Sequence, residues 1–232
     1  MPVRILLMDI DDTLFDFQTG YKRALRAALA QFGVECTPQL LELYGSINDR
    51  LWERFERGEI VKDALYDERF RQLFERCGID ASPAACNEAY HNALRLQHDL
   101  MPHCEQVLRQ LHERYQICIV TNGSTDIQTR RIADSGMAKY FDRVFISEQM
   151  GCKKPDKLFY DKVFAEIGED REIMGFKELH DTKTPMNPDE PGLGPVSNQL
   201  VMLGSRSDGR GNFSSRFAST FGTINAYGHA SS

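Results

Sequence analysis

The run Ile5-Leu6-Leu7-Met8-Asp9-Ile10-Asp11-Asp12-Thr13-Leu14 constrains this chain more than any other segment. An apolar stretch stopped abruptly by acids is the pattern of a short buried strand, here Arg4–Met8. The strand delivers two acids, two residues apart, to its carboxyl end. In an open parallel sheet that end is where ligands bind. Side chains at alternate positions share a face, so Asp9 and Asp11 point toward one site. Two close carboxylates repel unless a cation neutralises them, and hard oxygen donors suit Mg2+. One carboxylate can then attack phosphorus while the other handles the leaving group's proton. A plainer reading competes: an acidic turn that caps the next helix. The isolated Asp-x-Asp does not separate the two.

The segments around this strand define an architecture. Helical spacing of apolar residues marks Gln18–Phe32, with Tyr21, Leu25, Ala28, Leu29 and Phe32 on one face and Gly33 as the stop. Three more amphipathic helices follow over Pro38–Arg57, Val61–Cys77 and Pro83–Leu100, which implies a small helical bundle. After Pro102 the pattern alternates. Cys104–Tyr115 is helical, Gln116–Val120 strand-like, Asp126–Met137 helical, Arg143–Ser147 strand-like, and Asp156–Ile167 helical up to Gly168. Alternating strands and helices argue for an α/β fold, a Rossmann-like parallel sheet with helices on its faces. The bundle is inserted after the first strand. The division is residues 1–16 and 101–177 as the α/β core, 17–100 as a helical cap, and 178–232 as an atypical tail. In that tail Gly, Ser, Pro and Asn supply 23 of 55 residues, and it reads as irregular apart from a short strand at Leu200–Leu203.

Composition narrows the function classes. The chain has 232 residues, 41% hydrophobic and 27% charged, as in soluble globular proteins. No apolar run approaches the roughly 18–20 residues of a membrane span, and the start does not read as a signal peptide. A net charge of −6 argues against a dedicated nucleic-acid binder. Six cysteines without a Cys-x-x-Cys pair fit reduced thiols and a cytoplasmic location. The six histidines are scattered and read as surface or cap residues, and Trp52 with the cap's Phe and Tyr residues reads as core.

Two later segments bear on the first. Ile117-Cys118-Ile119-Val120-Thr121-Asn122-Gly123 is a second strand ending in a hydroxyl, an amide and a glycine. Such a hydroxyl and the backbone N–H groups at a helix start can hold phosphate oxygens, although Thr-Asn-Gly is also a generic turn. Gly151-Cys152-Lys153-Lys154-Pro155 offers a lysine held by a following proline, a fixed positive charge for a phosphate. In this order the three segments resemble the haloacid dehalogenase-like (HAD) hydrolase superfamily over about residues 3–170. Asp9 to Phe17, Val120 to Gly123, Asp134-Ser135-Gly136, and Phe145 to Lys154-Pro155 resemble its pyrimidine 5′-nucleotidase branch in particular.

The resemblance implies a Mg2+-dependent enzyme that hydrolyses small phosphomonoesters, nucleoside monophosphates in this branch. It implies Asp9 as the nucleophile forming an aspartyl-phosphate, and Asp11 as the acid and base. It implies Mg2+ on an Asp9 side-chain oxygen and the Asp11 carbonyl. Thr121 and Asn122 are implied as phosphate binders, and Lys154, which directly precedes the proline, as the neutralising cation in preference to Lys153. The cap helices are implied to close over the site and select the leaving group.

The resemblance also implies a fourth motif near positions 178–180, an apolar strand ending in Gly-Asp that completes the metal site. The chain does not carry it. Ile173-Met174-Gly175-Phe176-Lys177 has no acid after the glycine, and Leu200-Val201-Met202-Leu203-Gly204-Ser205 has serine in the acid's place, with Asp208 three residues further on. Either the tail is a diverged end with other ligands, or foreign sequence enters near Ile173 through a frame switch or an alternative end. The abrupt change in composition favours the second. The sheet is then expected to lose its neighbour beside the first strand and to expose an edge. Three functions compete: the phosphomonoesterase, a catalytically impaired chain, and a 2-haloacid dehalogenase. The last needs no leaving-group acid, so Asp11 argues against it.

Overall fold

A computed structural model describes residues 5–168 and 200–203. Strand β1 is Ile5–Met8, and four helices follow: α1 Phe17–Ala30, α2 Pro38–Glu56, α3 Lys62–Cys77 and α4 Pro83–Leu94. Their starts are written locally. Asp16 accepts the amide of Thr19, Thr37 that of Leu40 ahead of Pro38, and Ser82 that of Ala85 ahead of Pro83. Their apolar faces meet in one cluster that includes Leu25, Leu29, Tyr44, Ile47, Leu51, Phe70, Leu73 and Tyr90, with Trp52 partly buried at its margin. Each fully buried Leu or Phe contributes about 1.5–3 kcal/mol to that cluster.

The alternating half consists of α5 Cys104–His112, β2 Gln116–Thr121, α6 Thr125–Ser135, β3 Arg143–Ile146, the single turn α7 Ser147–Met150, and α8 Lys157–Ile167. Strands β1, β2 and β3 are parallel, with Leu6 opposite Ile117 and Ile119 opposite Val144. The period of two sorts their side chains cleanly. Leu6, Met8, Ile117 and Ile119 pack with Cys104 and Leu108 of α5 and Ile132 of α6. Ile5, Leu7, Cys118 and Val120 face the other way, onto Phe159 and Val163 of α8. Layers of helix, parallel sheet and helix result, as the alternation predicts. No described helix is long and apolar enough to cross a membrane.

Five predicted helices end early, α1 at Ala30 and α2 at Glu56 among them. Chain beyond Leu94 does not continue α4 to Leu100: it returns as an extended segment alongside residues 14–16. Met101 donates to Leu14 O at 2.9 Å, Phe15 bridges Leu100, and Asp16 donates to Asp99 O at 2.9 Å. Pairing with the outgoing segment satisfies backbone groups that a longer helix would have kept for itself. Helix α6 stops at Ser135 because Gly136 takes a left-handed turn, φ 71°. Helix α5 stops at His112 rather than Tyr115.

The expectation of a bare edge on β1 is corrected. Leu200–Leu203 forms β4 and pairs with β1, giving the order β3-β2-β1-β4. The sheet is therefore mixed, because β4 runs antiparallel, Leu200 opposite Met8 and Leu203 opposite Ile5. An apolar tetrapeptide carries no mark of direction, so its sequence leaves either polarity open. The rest of the tail lies outside the described residues, including the acids Glu178, Asp181 and Asp208 considered for a fourth motif.

Candidate active site

The site forms where β1 and β2 end side by side. After Met8 the chain turns tightly: the amides of Leu14 and Phe15 both donate to Ile10 O at 2.9 Å. Asp12 sits at φ 56° in that turn, its carboxylate accepting the amide of Gln18 at 3.1 Å and the Gln18 side chain at 2.9 Å. The turn leaves Asp9 at the strand's tip and Asp11 beside it. The acids that accept amides at the start of the following helix are Asp12 and Asp16, so the plainer reading of the acidic run applies to them and not to Asp9.

Asp9 Oδ1 lies 2.9 Å from Lys154 Nζ, and both side chains are nearly buried, 13% and 12% exposed. Burial pushes the Asp9 carboxyl above its ordinary range; the Lys154 cation opposes that shift and the nearby Asp11 charge adds to it. Lys154 comes from the β3–α8 connection and is braced from β2. Asn122 Oδ1 accepts the Lys154 amide at 2.8 Å, and Asn122 Nδ2 donates to the Lys154 carbonyl at 3.0 Å. The Lys154–Pro155 peptide is cis. Asn122 therefore spends its amide on placing Lys154. Lys153 points elsewhere and donates to Glu56 O at the end of α2, 2.7 Å away.

Thr121 is buried, and its hydroxyl oxygen accepts from the Gly123 amide at 3.2 Å and from Gln128 Nε2 at 3.0 Å. With both acceptor positions used, its own proton is left to donate. Asp11 is held on both oxygens: Oδ2 by Gln128 Nε2 at 2.8 Å and Oδ1 by Arg131 Nη1 at 2.6 Å. Lys62, at the start of α3, reaches in from the helical unit and donates to Gly123 O at 2.9 Å and to Ser147 Oγ at 3.3 Å.

The structure thus brings Asp9, Asp11, Thr121, Asn122 and Lys154 to one place. Sequence reasoning missed Gln128, Arg131 and Lys62. A signal existed for two of them: Gln128 and Arg131 stand three apart on the first turns of the helix that follows Thr-Asn-Gly, on the face toward that loop. Lys62 had no local signal.

Donors suited to a hard cation are the Asp9 carboxylate and the Asp11 peptide carbonyl. The described residues bring together no group of three or more His, Cys, Asp or Glu side chains. Oxygen donors fit Mg2+ in kind, and Mg2+ commonly keeps several waters when few protein groups hold it.

A family model described as haloacid dehalogenase-like hydrolase matches residues 3–176. The chain belongs to that hydrolase family and is an enzyme of it. YfnB of Bacillus subtilis, named as a HAD-hydrolase, is 34% identical over 164 residues, 71% of this chain and 70% of that one. The pyrimidine 5′-nucleotidase PynA of Streptococcus pneumoniae is 37% identical over 165 residues, again 71% and 70% of the two chains. The pyrimidine 5′-nucleotidase YjjG of Escherichia coli is 30% identical over 165 residues, 70% and 71%. Among solved structures, magnesium-bound YfnB superposes with a TM-score of 0.71 at 32% identity, covering 75% of this chain and 78% of that one. The defluorinating L-2-haloacid dehalogenase Rha0230 shares the fold, with a TM-score of 0.60 at 20% identity. Residues 177–232 lie beyond the family match.

Proposed function

We propose that the chain hydrolyses phosphomonoesters of the nucleoside monophosphate class through an aspartyl-phosphate on Asp9. The observation that carries this reading is the buried Asp9–Lys154 pair, 2.9 Å apart, with Asp11 two residues on and Thr121 beside them. A lone nucleophile suffices for displacement at carbon, and the second acid is the group that an ester of phosphate needs. Likeness to PynA and YjjG supports nucleotides as the substrate class.

In this reading the Asp9 carboxylate oxygen forms a bond to phosphorus as the ester P–O bond breaks, and the Asp11 proton passes to the leaving oxygen. Asp11 then takes a proton from water, the water oxygen attacks phosphorus, and the bond from Asp9 to phosphorus breaks to release phosphate. Lys154 neutralises the charge that Asp9 and the phosphoryl oxygens bring together. Thr121 donates its hydroxyl proton to a phosphoryl oxygen, while Asn122 acts by fixing Lys154. Mg2+ held by Asp9 and the Asp11 carbonyl would add charge neutralisation. Helices α1–α4, residues 17–100, serve as the cap, and residues 1–16 with 101–177 as the core. Water exclusion under the cap strengthens every charge interaction in the site.

One observation favours a second reading, a catalytically impaired chain. Strand β4 runs so that its carboxyl end lies beside Ile5, at the end of β1 away from Asp9. The same experiment separates the two readings. Purified protein is offered p-nitrophenyl phosphate, UMP and dTMP with Mg2+ and with EDTA, beside Asp9→Asn. Mg2+-dependent turnover lost in Asp9→Asn is the result expected. Folded protein that turns over none of the three supports the impaired chain.

A further inference from the structure

Arg131 is 1% exposed, and the packing of α6 gives no apolar reason for a cation there. A buried guanidinium is costly to desolvate and is retained only where partners use its charge and its donors. Its partners are specific. Nη1 donates to Asp11 Oδ1 at 2.6 Å and to Gln128 Oε1 at 3.0 Å, and Nε donates to Gln97 O at 2.6 Å. The guanidinium also lies over the rings of Phe15 and Phe17, at 5.0 and 5.9 Å. Gln128, equally buried, bonds the other Asp11 oxygen and the Thr121 hydroxyl. A carboxyl group held on both oxygens by two side chains that are themselves bonded to each other has one orientation.

The geometry points to Arg131 and Gln128 as positioning residues that orient the Asp11 carboxyl group for proton delivery to the leaving oxygen. This rests on the phosphomonoesterase reading and assigns it two residues that touch neither the phosphate nor Asp9. Arg131 also contacts both segments that join the helical unit to the sheet: Phe15 and Phe17 on the way out, Gln97 on the way back. The orientation of Asp11 is therefore set by the same side chain that packs between those segments. Protonation matters where the leaving group is an alkoxide, as in UMP, and little where it is p-nitrophenolate. Loss of the positioning side chain therefore has a signature that general loosening of the fold lacks.

The test is single-turnover release of the leaving group, uridine from UMP and p-nitrophenolate from p-nitrophenyl phosphate, by the full chain in excess over substrate. It reads the first step alone and leaves out the water-activating step that both substrates share. The enzymes compared are wild type, Arg131→Met, Arg131→Lys, Asp11→Asn and the Asp11→Asn/Arg131→Met double variant. Arg131→Met is expected to lose about 100-fold in the rate of uridine release, as for a displaced general acid, and under about threefold in the rate of p-nitrophenolate release. Arg131→Lys should regain part of the UMP rate. In the Asp11→Asn background Arg131→Met should cost under about threefold more, because the two act through one group. Equal losses on both substrates, or no loss on UMP, overturn the inference and leave Arg131 as a packing residue. Wild type inactive on both substrates overturns the phosphomonoesterase reading and this inference together. If Arg131→Met does not unfold cooperatively, Gln128→Leu carries the same comparison, with about a tenfold UMP-selective loss expected and equal losses again overturning it.

Discussion

Lys62, the first residue of α3, donates to the carbonyl oxygen of Gly123 across 2.9 Å, so a helix remote in sequence closes on the loop that follows β2. On the return side Lys153 donates to Glu56 O, and the ring of Phe55 lies 5.8 Å from the Lys62 ammonium and 5.3 Å from that of Lys153. The two lysines reach in opposite directions across one interface, with an aromatic ring between them. Burial lowers the Lys62 pKa, opposed by the charge of Glu148.

If this contact holds the helical unit over the site, Lys62→Met weakens substrate binding more than chemistry. One lost hydrogen bond of about 0.5–1.5 kcal/mol corresponds to a rise in KM of roughly two- to tenfold. Steady-state kinetics on any accepted phosphomonoester checks this. A fall in kcat with KM unchanged would place Lys62 in the chemistry instead.

Asp9 carries a raised pKa because burial disfavours its ionised form. A carboxyl whose folded pKa exceeds its unfolded value makes its largest contribution below the unfolded value, and loses it as pH rises through the folded pKa. At neutral pH ionised Asp9 therefore costs stability. Asp9→Asn is expected to melt above wild type at pH 7.5 in EDTA, with the gap narrowing as the pH falls toward 4. Thermal denaturation at several pH values measures it, and a lower melting temperature for Asp9→Asn at pH 7.5 refutes it.

His91 lies in the helical unit with its Nε2 2.6 Å from Arg69 Nη2, and its pKa is pushed down to about 4 by burial, then by Arg69 and Arg95. A depressed folded pKa means that the unfolded chain takes up the proton first, near pH 6.5. Stability from the neutral ring is complete above that pH and drains away as pH falls toward about 4. His91→Gln keeps an acceptor for Arg69 and removes the titration. Its melting temperature should fall less steeply than that of wild type between pH 6.5 and 4. Parallel curves would remove His91 as the cause.

Gly123 has no room for a side chain. A Cβ there would stand 2.4 Å from Gln128 Nε2 and 2.6 Å from its Cγ. Gly123→Ala must displace Gln128 and with it the bonds to Thr121 and Asp11. Activity is expected to drop at least about tenfold, as for a displaced general acid, with little change in denaturation midpoint. The loss should be less than additive in Gly123→Ala/Gln128→Ala, and full additivity in that pair counts against the steric route.

What the sequence disclosed depends on whether a local pattern exists. Ile5–Met8 and Gln116–Thr121 were legible because short apolar runs end in residues that only a site or a turn would use. Asp9, Asp11, Thr121, Asn122 and Lys154 were legible by their order along the chain. Arg131 was passed over despite its three-residue step from Gln128, because a charged residue on an amphipathic helix ordinarily faces solvent, and its burial follows from Phe15, Phe17 and Gln97 arriving from elsewhere. The early end of α4 was hidden too, since Arg95–Leu100 keeps helical spacing until its backbone pairs with residues 14–16.

The reversed polarity of β4 decides which substitutions can enrich the site with oxygen ligands. Leu203 lies opposite Ile5, roughly 10 Å back along β1 from Met8 at the rise of a strand. Converting Leu203 to an acid would therefore place charge at the pole of the sheet away from Asp9. The position next to Asp9 is held by Leu200, opposite Met8. For an engineer the productive place for a new carboxylate is the entrance of this strand at Leu200, and its last residue, Leu203, is the unproductive one.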